Sequence, residues 1–275
     1  MTPALPTWDW RRRGGLTVLG WPALDQAGVD VAVTTRHGGV SSGPYRSLNL
    51  GLHVGDRDER VLENRRRAAG AVGAGLDELV VGAQVHGDRA AVVTGADRGR
   101  GAAGLDDALP DTDALVTAEP GVVLVTMVAD CVPVVLVDPV ARVLATVHAG
   151  WRGTAAGIVR RALDVMSDLG CRPGDVVAGI GPAVARDRYQ VGPEVAEALG
   201  TALGPEAAAE VVADDGPGHW RADLVAANRL MLERAGVPAA QIVGPPCPTG
   251  PPGPFFSDRA RRPCGRFALL AVRRT

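Results

Sequence analysis

The sequence predicts an α/β protein, and three observations support this class. Continuous apolar runs rich in β-branched residues occupy positions 114–117, 122–128, 134–137 and 143–147, which is typical of strands buried on both faces. Directly after them, apolar residues recur at helical spacing from Ile158 to Leu169, and Gly170 provides a stop signal. The composition, 46% hydrophobic and 22% charged over 275 residues, is that of a globular chain able to bury a large core.

The first part of the chain predicts short strands followed by a helix. Positions 29–35 and 48–54 carry strand signals on either side of a turn-rich segment, 38–44. Asp56 and Glu59 have the spacing of a capping box, and the apolar spacing beyond them predicts a helix over 57–70. Positions 79–85 and 90–94 predict two more strands, and a loop rich in Gly and Asp covers 95–110.

The last third of the chain continues the alternation of strands and helices. We predict a strand over 176–180 and amphipathic helices over 193–203 and 223–235, the second capped by Asp223. A proline-rich segment, 244–254, predicts a fixed irregular loop, and a strand over 266–272 closes the chain. No internal repeat or linker interrupts the pattern, so we predict a single domain over residues 1–275.

Charge and composition argue against several classes of partner. The net charge is -2 and no basic stripe alternates with aromatic residues, which argues against nucleic acid. No apolar segment follows the N-terminal arginines, and the longest apolar run, 122–137, is interrupted by polar residues. We therefore predict neither a signal peptide nor a membrane span. Four scattered cysteines indicate reduced thiols and a cytoplasmic location rather than a disulfide framework.

Three residues at predicted strand ends could carry chemistry. His86, Cys131 and His148 combine imidazole and thiolate, the ligands that zinc prefers, and three protein ligands leave a fourth position open. Their spacings match no regular metal motif. The same residues allow a Cys131 nucleophile with His148 as its base. They also allow inert packing of a buried cysteine and a hydrogen-bonded histidine. Spacing alone does not choose among these readings.

Eight stretches of the chain match known motifs in order, between about residues 31 and 272. They read TTRHGGVSSGPYRSLNLGLHVGD, QVHG, DTDALVT, ADCVPV, HAGWRG, GPAVARDRYQVGPEV, DLVAANR and FFSDR. Together they resemble the YfiH-type family, whose members are labelled laccase-domain proteins, polyphenol oxidases, peptidoglycan editing factors or purine nucleoside phosphorylases. The resemblance implies one layered α/β/β/α sandwich with mixed sheets. It also implies one zinc, with copper as a possible substitute, held by His86, Cys131 and His148.

The activity that the resemblance implies is phosphorolysis of purine nucleosides, namely adenosine, inosine, guanosine and methylthioadenosine, together with deamination of adenosine. The expected partners are therefore purine nucleosides and phosphate. For deamination, zinc lowers the pKa of water that it binds toward 7, which supplies a nucleophile. A general acid or base is also needed, and we favour Asp130, beside the expected ligand Cys131, over Asp113.

Phosphorolysis also needs an anion site near the ribose, where positive charge develops during cleavage. Arginine binds phosphate in bidentate fashion, although every basic residue of this chain is arginine, which lowers the weight of any single one. From the family motifs we expect four contacts to nucleoside or phosphate: Arg36, Asn49, Arg65 and Arg259. His53 is a candidate for the pocket wall. A helix beginning near Thr154 could add an anion site beside Arg152.

Two other activities carry family labels. A peptidoglycan editing hydrolase would use the same pocket to cleave an amide or ester in a wrongly built muropeptide precursor. A copper-dependent polyphenol oxidase of the multicopper type needs many imidazoles, usually in His-x-His pairs, whereas this chain has five histidines and no such pair. We therefore reject laccase chemistry as the main function. A protein that only binds a partner would have no need of an open three-ligand metal site.

Overall fold

The structure, a computed structural model, describes residues 7–244 and 247–274, in which two six-stranded sheets pack face to face. The strands are β1 Asp9–Arg13, β2 Leu16–Gly20, β3 Val29–Thr34, β4 Leu79–Val81, β5 Ala90–Val92, β6 Ala114–Thr117, β7 Val123–Val128, β8 Val132–Asp138, β9 Val143–Ala149, β10 Val177–Ile180, β11 Gln190–Val191, β12 Val212–Asp214, β13 Trp220–Ala222, β14 Ile242–Val243 and β15 Phe267–Arg273. The helices are α1 Pro22–Gln26, α2 Asp58–Gly70, α3 Trp151–Ala156, α4 Ile158–Asp168, α5 Pro193–Leu203, α6 Pro205–Val211 and α7 Leu224–Arg234.

Both large sheets are mixed. The first has the order β1-β2-β3-β15-β7-β4, and the second has the order β14-β10-β8-β9-β6-β5. Most neighbours are antiparallel, whereas β4 with β7, β5 with β6, and β10 with β14 are parallel. The predicted α/β class with mixed sheets is confirmed. A smaller sheet of order β11-β13-β12 lies outside both.

Alternation of side chains along the strands builds the layers. In β15, Phe267 and Leu269 belong to the core between the two sheets, while Ala268 and Leu270 belong to a second core on the outer face, which α2 covers. In β8, Val135 joins the core between the sheets, and its neighbours join a third core that α4 covers. A period of two along a strand sends successive side chains to opposite faces. The layers therefore run α/β/β/α, as the resemblance implied.

Several elements have the predicted positions. The strand Ala114–Thr117 and the helix Pro193–Leu203 have the predicted bounds, and α2 and α4 differ from prediction by a residue or two. The predicted cap of α7 is present, because the Asp223 side chain accepts the backbone N–H of Ala226 at 2.8 Å. These elements follow from local pattern, which the sequence displays directly.

Other predictions about the first part of the chain were wrong. No strand forms over 48–54, where only a 3-10 turn, Leu52–Val54, is regular. The capping box is not made: Arg57 is the N-cap of α2 and gives no side-chain bond. The carboxylate of Asp56 instead accepts the N–H of Arg57 at 2.9 Å and the side-chain amide of Asn49 at 3.0 Å. The pairing strands β1 and β2 and the three-stranded sheet were not predicted.

The remaining expectations concern domain organisation, the membrane and the proline-rich loop. Both large sheets contribute to the core between them, and the single domain over 1–275 stays a prediction. Within residues 7–244 and 247–274, no helix combines the length and the apolar character needed to cross a membrane. Positions 245 and 246 of the predicted loop lie outside the described residues, and 247–254 contain neither helix nor strand.

Candidate metal centre

Cys131 and His148 meet because β8 pairs with β9. The register is antiparallel and sets Pro133 opposite His148, so the turn that precedes β8 lies beside the end of β9. That turn carries the chain from β7 in the first sheet to β8 in the second, and Cys131 is its last residue. Asp130, just before it, has a φ of 92°, a conformation that a non-glycine residue rarely adopts. The thiol therefore lies at one end of the seam between the sheets.

His86 arrives from the loop after β4 and is held by Asp113. The Asp113 carboxylate accepts the backbone N–H groups of Val85 at 3.1 Å, His86 at 3.0 Å and Gly87 at 2.9 Å. The same carboxylate lies 2.7 Å from Nδ1 of His148. When Nδ1–H donates a hydrogen bond to a carboxylate, the proton stays on Nδ1 and the lone pair on Nε2 is free to bind a metal. One buried carboxylate thus orients two of the three expected ligands.

The potential ligand atoms of His86, Cys131 and His148, called here the ligand triad, all lie within 4.8 Å of one another. The two imidazole rings are 4.7 Å apart and nearly perpendicular, at 70°. Gly150 leaves room for this approach, because a Cβ there would lie 2.7 Å from Cδ2 of His86 and 3.1 Å from Sγ of Cys131. His148 is buried, Cys131 is half-buried and His86 is exposed, so the group opens to one side. Among the described residues, it is the group of His, Cys, Asp or Glu side chains whose potential ligand atoms lie close enough together to hold one metal ion.

The charges within the triad favour the thiolate. Burial by itself would raise the pKa of Cys131, but the charge and hydrogen bonds of His148 and His86 outweigh it and lower the pKa to about 6. Burial would lower the pKa of His148, whereas the Cys131 thiolate and the Asp113 carboxylate raise it to about 9. The thiolate is the form that binds a metal and also the form that acts as a nucleophile. The donor set therefore fits a zinc or copper ion.

A cavity of about 550 Å³ opens over the triad, within the usual size range for small-molecule sites. Two carboxylates line it, Asp130 and Asp258. Five guanidinium groups line it as well: Arg65, Arg152, Arg259, Arg262 and Arg266. Positive charge therefore predominates, which favours an anionic ligand.

Asp130, Arg65, Arg259 and His53 line the cavity, and their contact with a substrate stays a prediction. The Asp130 carboxylate accepts the hydroxyl of Thr249 at 2.5 Å and the backbone N–H of Arg259 at 2.6 Å. It thereby ties the turn before Cys131 to the loop that carries Arg259. The Arg259 guanidinium lies over the ring of Tyr189, 5.0 Å from its centroid.

Two expected substrate contacts, Arg36 and Asn49, do not line this cavity. Arg36 lies over the Phe256 ring at 5.0 Å, donates to the carbonyl of Arg46 and lines a separate surface groove. Asn49 is fully buried, and its amide bonds to Gly51, to Asp56 and to the backbone of Arg266. Its motif therefore shapes the scaffold, because no face of the amide is left for a nucleoside.

Sequence reasoning missed Tyr189, Arg262 and Arg266 in the cavity wall. Arg266 directly precedes β15, so its place at a strand end was the same signal that singled out His86. Tyr189 gave no comparable signal; burial and nearby negative charge raise its pKa to about 12, which keeps the phenol neutral. The expected helix beside Arg152 is α3, only six residues long, and the Arg152 guanidinium lies 4.4 Å from the Trp151 ring centroid.

Two packed mixed sheets with an open His/Cys/His group at one end of their seam define the class: a layered α/β protein whose three potential metal ligands lie together at that end. The family model described as multi-copper polyphenol oxidoreductase laccase matches residues 30–274. The chain belongs to this family, also known as the YfiH or laccase-domain family, and the resemblance seen in the motifs is confirmed.

Relatives and solved structures agree with this assignment. The chain is 41% identical over 251 residues to purine nucleoside phosphorylase YlmD of Geobacillus stearothermophilus, covering 90% of this chain and 91% of the relative. It is 40% identical over 219 residues to adenosine deaminase RL5 of an unknown prokaryotic organism, covering 78% and 82%. The crystal structure of the hypothetical protein YfiH from Bacillus licheniformis superposes with a TM-score of 0.89 at 34% identity, covering 96% and 98%.

Proposed function

We propose that this protein is a cytoplasmic, zinc-dependent purine nucleoside phosphorylase that also deaminates adenosine. Its substrates are adenosine, inosine, guanosine and methylthioadenosine, with phosphate as the second substrate. The observation that carries the proposal is the open ligand triad on the wall of a cavity whose charges are mostly arginine. The names of the two relatives, a purine nucleoside phosphorylase and an adenosine deaminase, support the same pair of reactions.

The proposed zinc would be held by His86, Cys131 and His148, with copper as the alternative metal. Their imidazole and thiolate donors fit zinc, and the exposed side of the triad leaves room for a further ligand. When bound, zinc would supply a Lewis acid that lowers the pKa of water toward neutrality. Asp113 fixes the His148 ring and the His86 backbone, so the ligands are oriented before the metal arrives.

In phosphorolysis a phosphate oxygen bonds to C1′ of the ribose while the bond from C1′ to the purine nitrogen breaks. The electron pair of that bond passes to the base, and the proton of the phosphate hydroxyl ends on the base, so the products are a free purine and ribose 1-phosphate. Positive charge develops on the ribose during cleavage. The cavity arginines would bind and orient the phosphate, and the half-enclosed cavity would limit the access of competing water.

In deamination water replaces the amino group of adenosine, and ammonia leaves, so one residue must move a proton. We propose Asp130 for this step. It lines the cavity beside Cys131, and each carboxylate oxygen accepts one protein hydrogen bond and keeps a second lone pair. Asp113 is a poorer choice, because its side chain is 0% exposed and already engaged by His148 and three backbone N–H groups.

One observation favours a second candidate, the peptidoglycan editing hydrolase. Cys131, His148 and Asp113 form a continuous series of nucleophile, base and orienting carboxylate, the arrangement that cysteine nucleophiles use for amide or ester cleavage. Such a reaction would need no phosphate. The phosphorylase proposal ranks first, because the relatives named above are a purine nucleoside phosphorylase and an adenosine deaminase, which supports reactions on nucleosides.

The proposal is tested by incubating metal-assayed protein with adenosine, with and without phosphate. We expect adenine and ribose 1-phosphate only when phosphate is present, and inosine in both cases. Asp130→Asn should lower inosine formation by about 100-fold, the usual contribution of a general acid or base, at unchanged zinc content. If neither adenine nor inosine forms while a UDP-linked muropeptide is cleaved, the phosphorylase proposal is wrong and the hydrolase takes its place.

A further inference from the structure

Arg65 is a buried cation with no carboxylate partner among the described residues. Its side chain donates through Nε to the carbonyl of Leu50 at 2.9 Å, and through Nη1 to the carbonyls of Gly101 at 2.6 Å and Ala102 at 2.7 Å. The last nitrogen, Nη2, contacts the thioether of Met127 at 3.6 Å, and thioethers accept hydrogen bonds weakly. Burial lowers the pKa of Arg65 to about 10, so the cation is costly where it lies. Because Arg65 and Met127 line the cavity, an anion entering there could offset that cost.

His53 and Arg266 both lie near the backbone segment that binds the Arg65 side chain. The carbonyl of Leu50 binds the Arg65 side chain, and the N–H of Leu50 donates to the carbonyl of Arg266 at 2.9 Å. At Gly51, the next residue, a Cβ would lie 2.9 Å from Cγ of Arg266 and 3.4 Å from Cε1 of His53. The missing side chain thus leaves space that both of these residues border. All three cavity-lining side chains are held around the same two backbone residues.

The charge around these three side chains is not balanced. The Asp258 carboxylate is shared between Arg262, at 2.6 Å, and Arg266, at 3.3 Å, so one negative charge serves two guanidinium groups. Burial and the charges of Arg266 and Arg65 lower the pKa of His53, which leaves its ring neutral at pH 7. A neutral imidazole has one donor and one acceptor nitrogen. A phosphate that carries both an ionised oxygen and a hydroxyl is the matching ligand.

We propose that His53, Arg65 and Arg266 form a phosphate seat, a subsite for a phosphoryl group supplied by inorganic phosphate or by the 5′-phosphate of a nucleotide. The inference rests on the proposed function and deepens it by locating the second substrate. Arg65 and Arg266 bind the ionised oxygens, and His53 accepts the hydroxyl of the phosphate. When the group is inorganic phosphate, that hydroxyl carries the proton that the departing purine finally takes up.

The other arginines of the cavity suit a different part of the substrate. Arg152 lies over Trp151 at 4.4 Å and Arg259 lies over Tyr189 at 5.0 Å, so each guanidinium plane is already associated with an aromatic ring. Such stacked pairs present flat surfaces of the kind that a purine ring stacks on. The phosphate seat contains no comparable stack.

The test is calorimetric titration of inorganic phosphate into zinc-loaded wild-type protein and four variants. His53→Ala should weaken phosphate binding at least about tenfold, which corresponds to about 1.4 kcal/mol. His53→Asn should recover part of the loss, because an amide again offers a donor and an acceptor. Arg65→Lys keeps the charge but loses the planar fork and should weaken binding by a similar factor. Arg66→Ala is the matched control, since that side chain is 57% exposed on the same helix and should bind phosphate like the wild type.

Three further measurements distinguish loss of the phosphate seat from damage to the metal centre and identify the source of the phosphoryl group. Zinc content should be unchanged in His53→Ala, which distinguishes the phosphate seat from a disturbed metal centre. In the phosphorolysis assay the same variant should raise the KM for phosphate more than it lowers kcat. Titration with adenosine 5′-monophosphate identifies the source of the phosphoryl group: tighter binding than inorganic phosphate, with the same dependence on His53, indicates a nucleotide.

The inference is overturned if wild-type protein binds neither probe, or if His53→Ala and Arg65→Lys bind both probes like the wild type. Its failure is distinguishable from failure of the proposed function. If both variants catalyse phosphorolysis with an unchanged KM for phosphate, the phosphate seat is wrong and the phosphorylase proposal still holds. Binding of phosphate that depends on His53, without any cleavage of nucleosides, would keep the seat and remove the phosphorylase.

Discussion

Two polar clusters within the family motifs use their polar groups in opposite ways. The asparagine cluster consists of Ser41, Asn49 and Asn64, and both of its amides are fully buried. The Asn64 amide donates to the hydroxyl of Ser41 at 2.8 Å and to the carbonyl of Asn49 at 2.8 Å, and its oxygen accepts the N–H of Val40 at 2.8 Å. Its polar groups are satisfied inside the protein, so the cluster acts as scaffold.

The ligand triad contrasts with this closed arrangement. Its imidazole and thiolate atoms converge within 4.8 Å on one another, and the group opens to a cavity through the exposed His86. Behind it, Asp113 has its hydrogen bonds made, as the asparagines do. The asparagine cluster is therefore closed within the protein, whereas the ligand triad converges beside a cavity that leaves one side of it open. Asn49 belongs to a family motif as the triad residues do, and only the structure shows that its amide lies fully buried.

The largest expected effect is the loss of a triad ligand. Cys131→Ala and His148→Ala should each lower zinc affinity by more than about 100-fold, beyond the effect of removing a residue that only supports a ligand. Zinc content after dialysis against a chelator measures the loss. Cys247→Ala, at a half-buried cysteine outside the triad, should retain wild-type zinc. If both triad variants retained full zinc content, the proposed metal centre would be wrong.

The asparagine cluster should affect stability and leave the metal alone. Asn64→Ala leaves the N–H of Val40 without its acceptor and removes the donors that bind Ser41 and Asn49. We therefore expect the free energy of unfolding to fall by about 3 kcal/mol. Urea unfolding measures this change. Glu63→Ala, on the same helix and paired only with partly exposed arginines, should cost less than about 1 kcal/mol. Loss of zinc in folded Asn64→Ala would break the distinction between the two clusters.

Asp113 supports two metal ligands without being a ligand itself, and we expect its replacement to have the smallest of these effects. Asp113→Asn keeps the size of the side chain but loses the charge, and one of its two acceptor atoms becomes a donor facing N–H groups. We expect zinc affinity to fall by about 10- to 100-fold, as for other residues that orient a metal ligand. Competition with a chromophoric chelator measures the change. Asp111→Asn, at an exposed neighbour, is the control, and equal affinities in the two variants would contradict the role given to Asp113.

The fold was largely predictable because its central strands are buried on both faces. Runs such as 122–128 can satisfy their apolar side chains only inside a layered core, so their sequence indicates a strand whatever they pair with. The strand β1 could not be found in this way. Its three arginines lie at the edge of the first sheet, where Arg11 pairs with Asp9 and Asp25 and Arg13 pairs with Asp30. It pairs with the neighbouring strand β2 across Gly14 and Gly15, but its residues form no apolar run, so the pattern that marks the buried strands does not mark it.

The sequence by itself determined the α/β class, most helix and strand positions and, through its motifs, the three expected metal ligands. Only the tertiary structure decided what those residues do together. Cys131 and His148 approach through the pairing of β8 with β9, and His86 approaches through hydrogen bonds to Asp113. A different long-range contact, from the N–H of Arg266 to the side-chain oxygen of Asn49, joins the buried Asn49 to the segment whose Arg266 lines the cavity. Local pattern sets which face of an element is apolar, whereas the direction of a polar side chain depends on partners that only the folded chain provides.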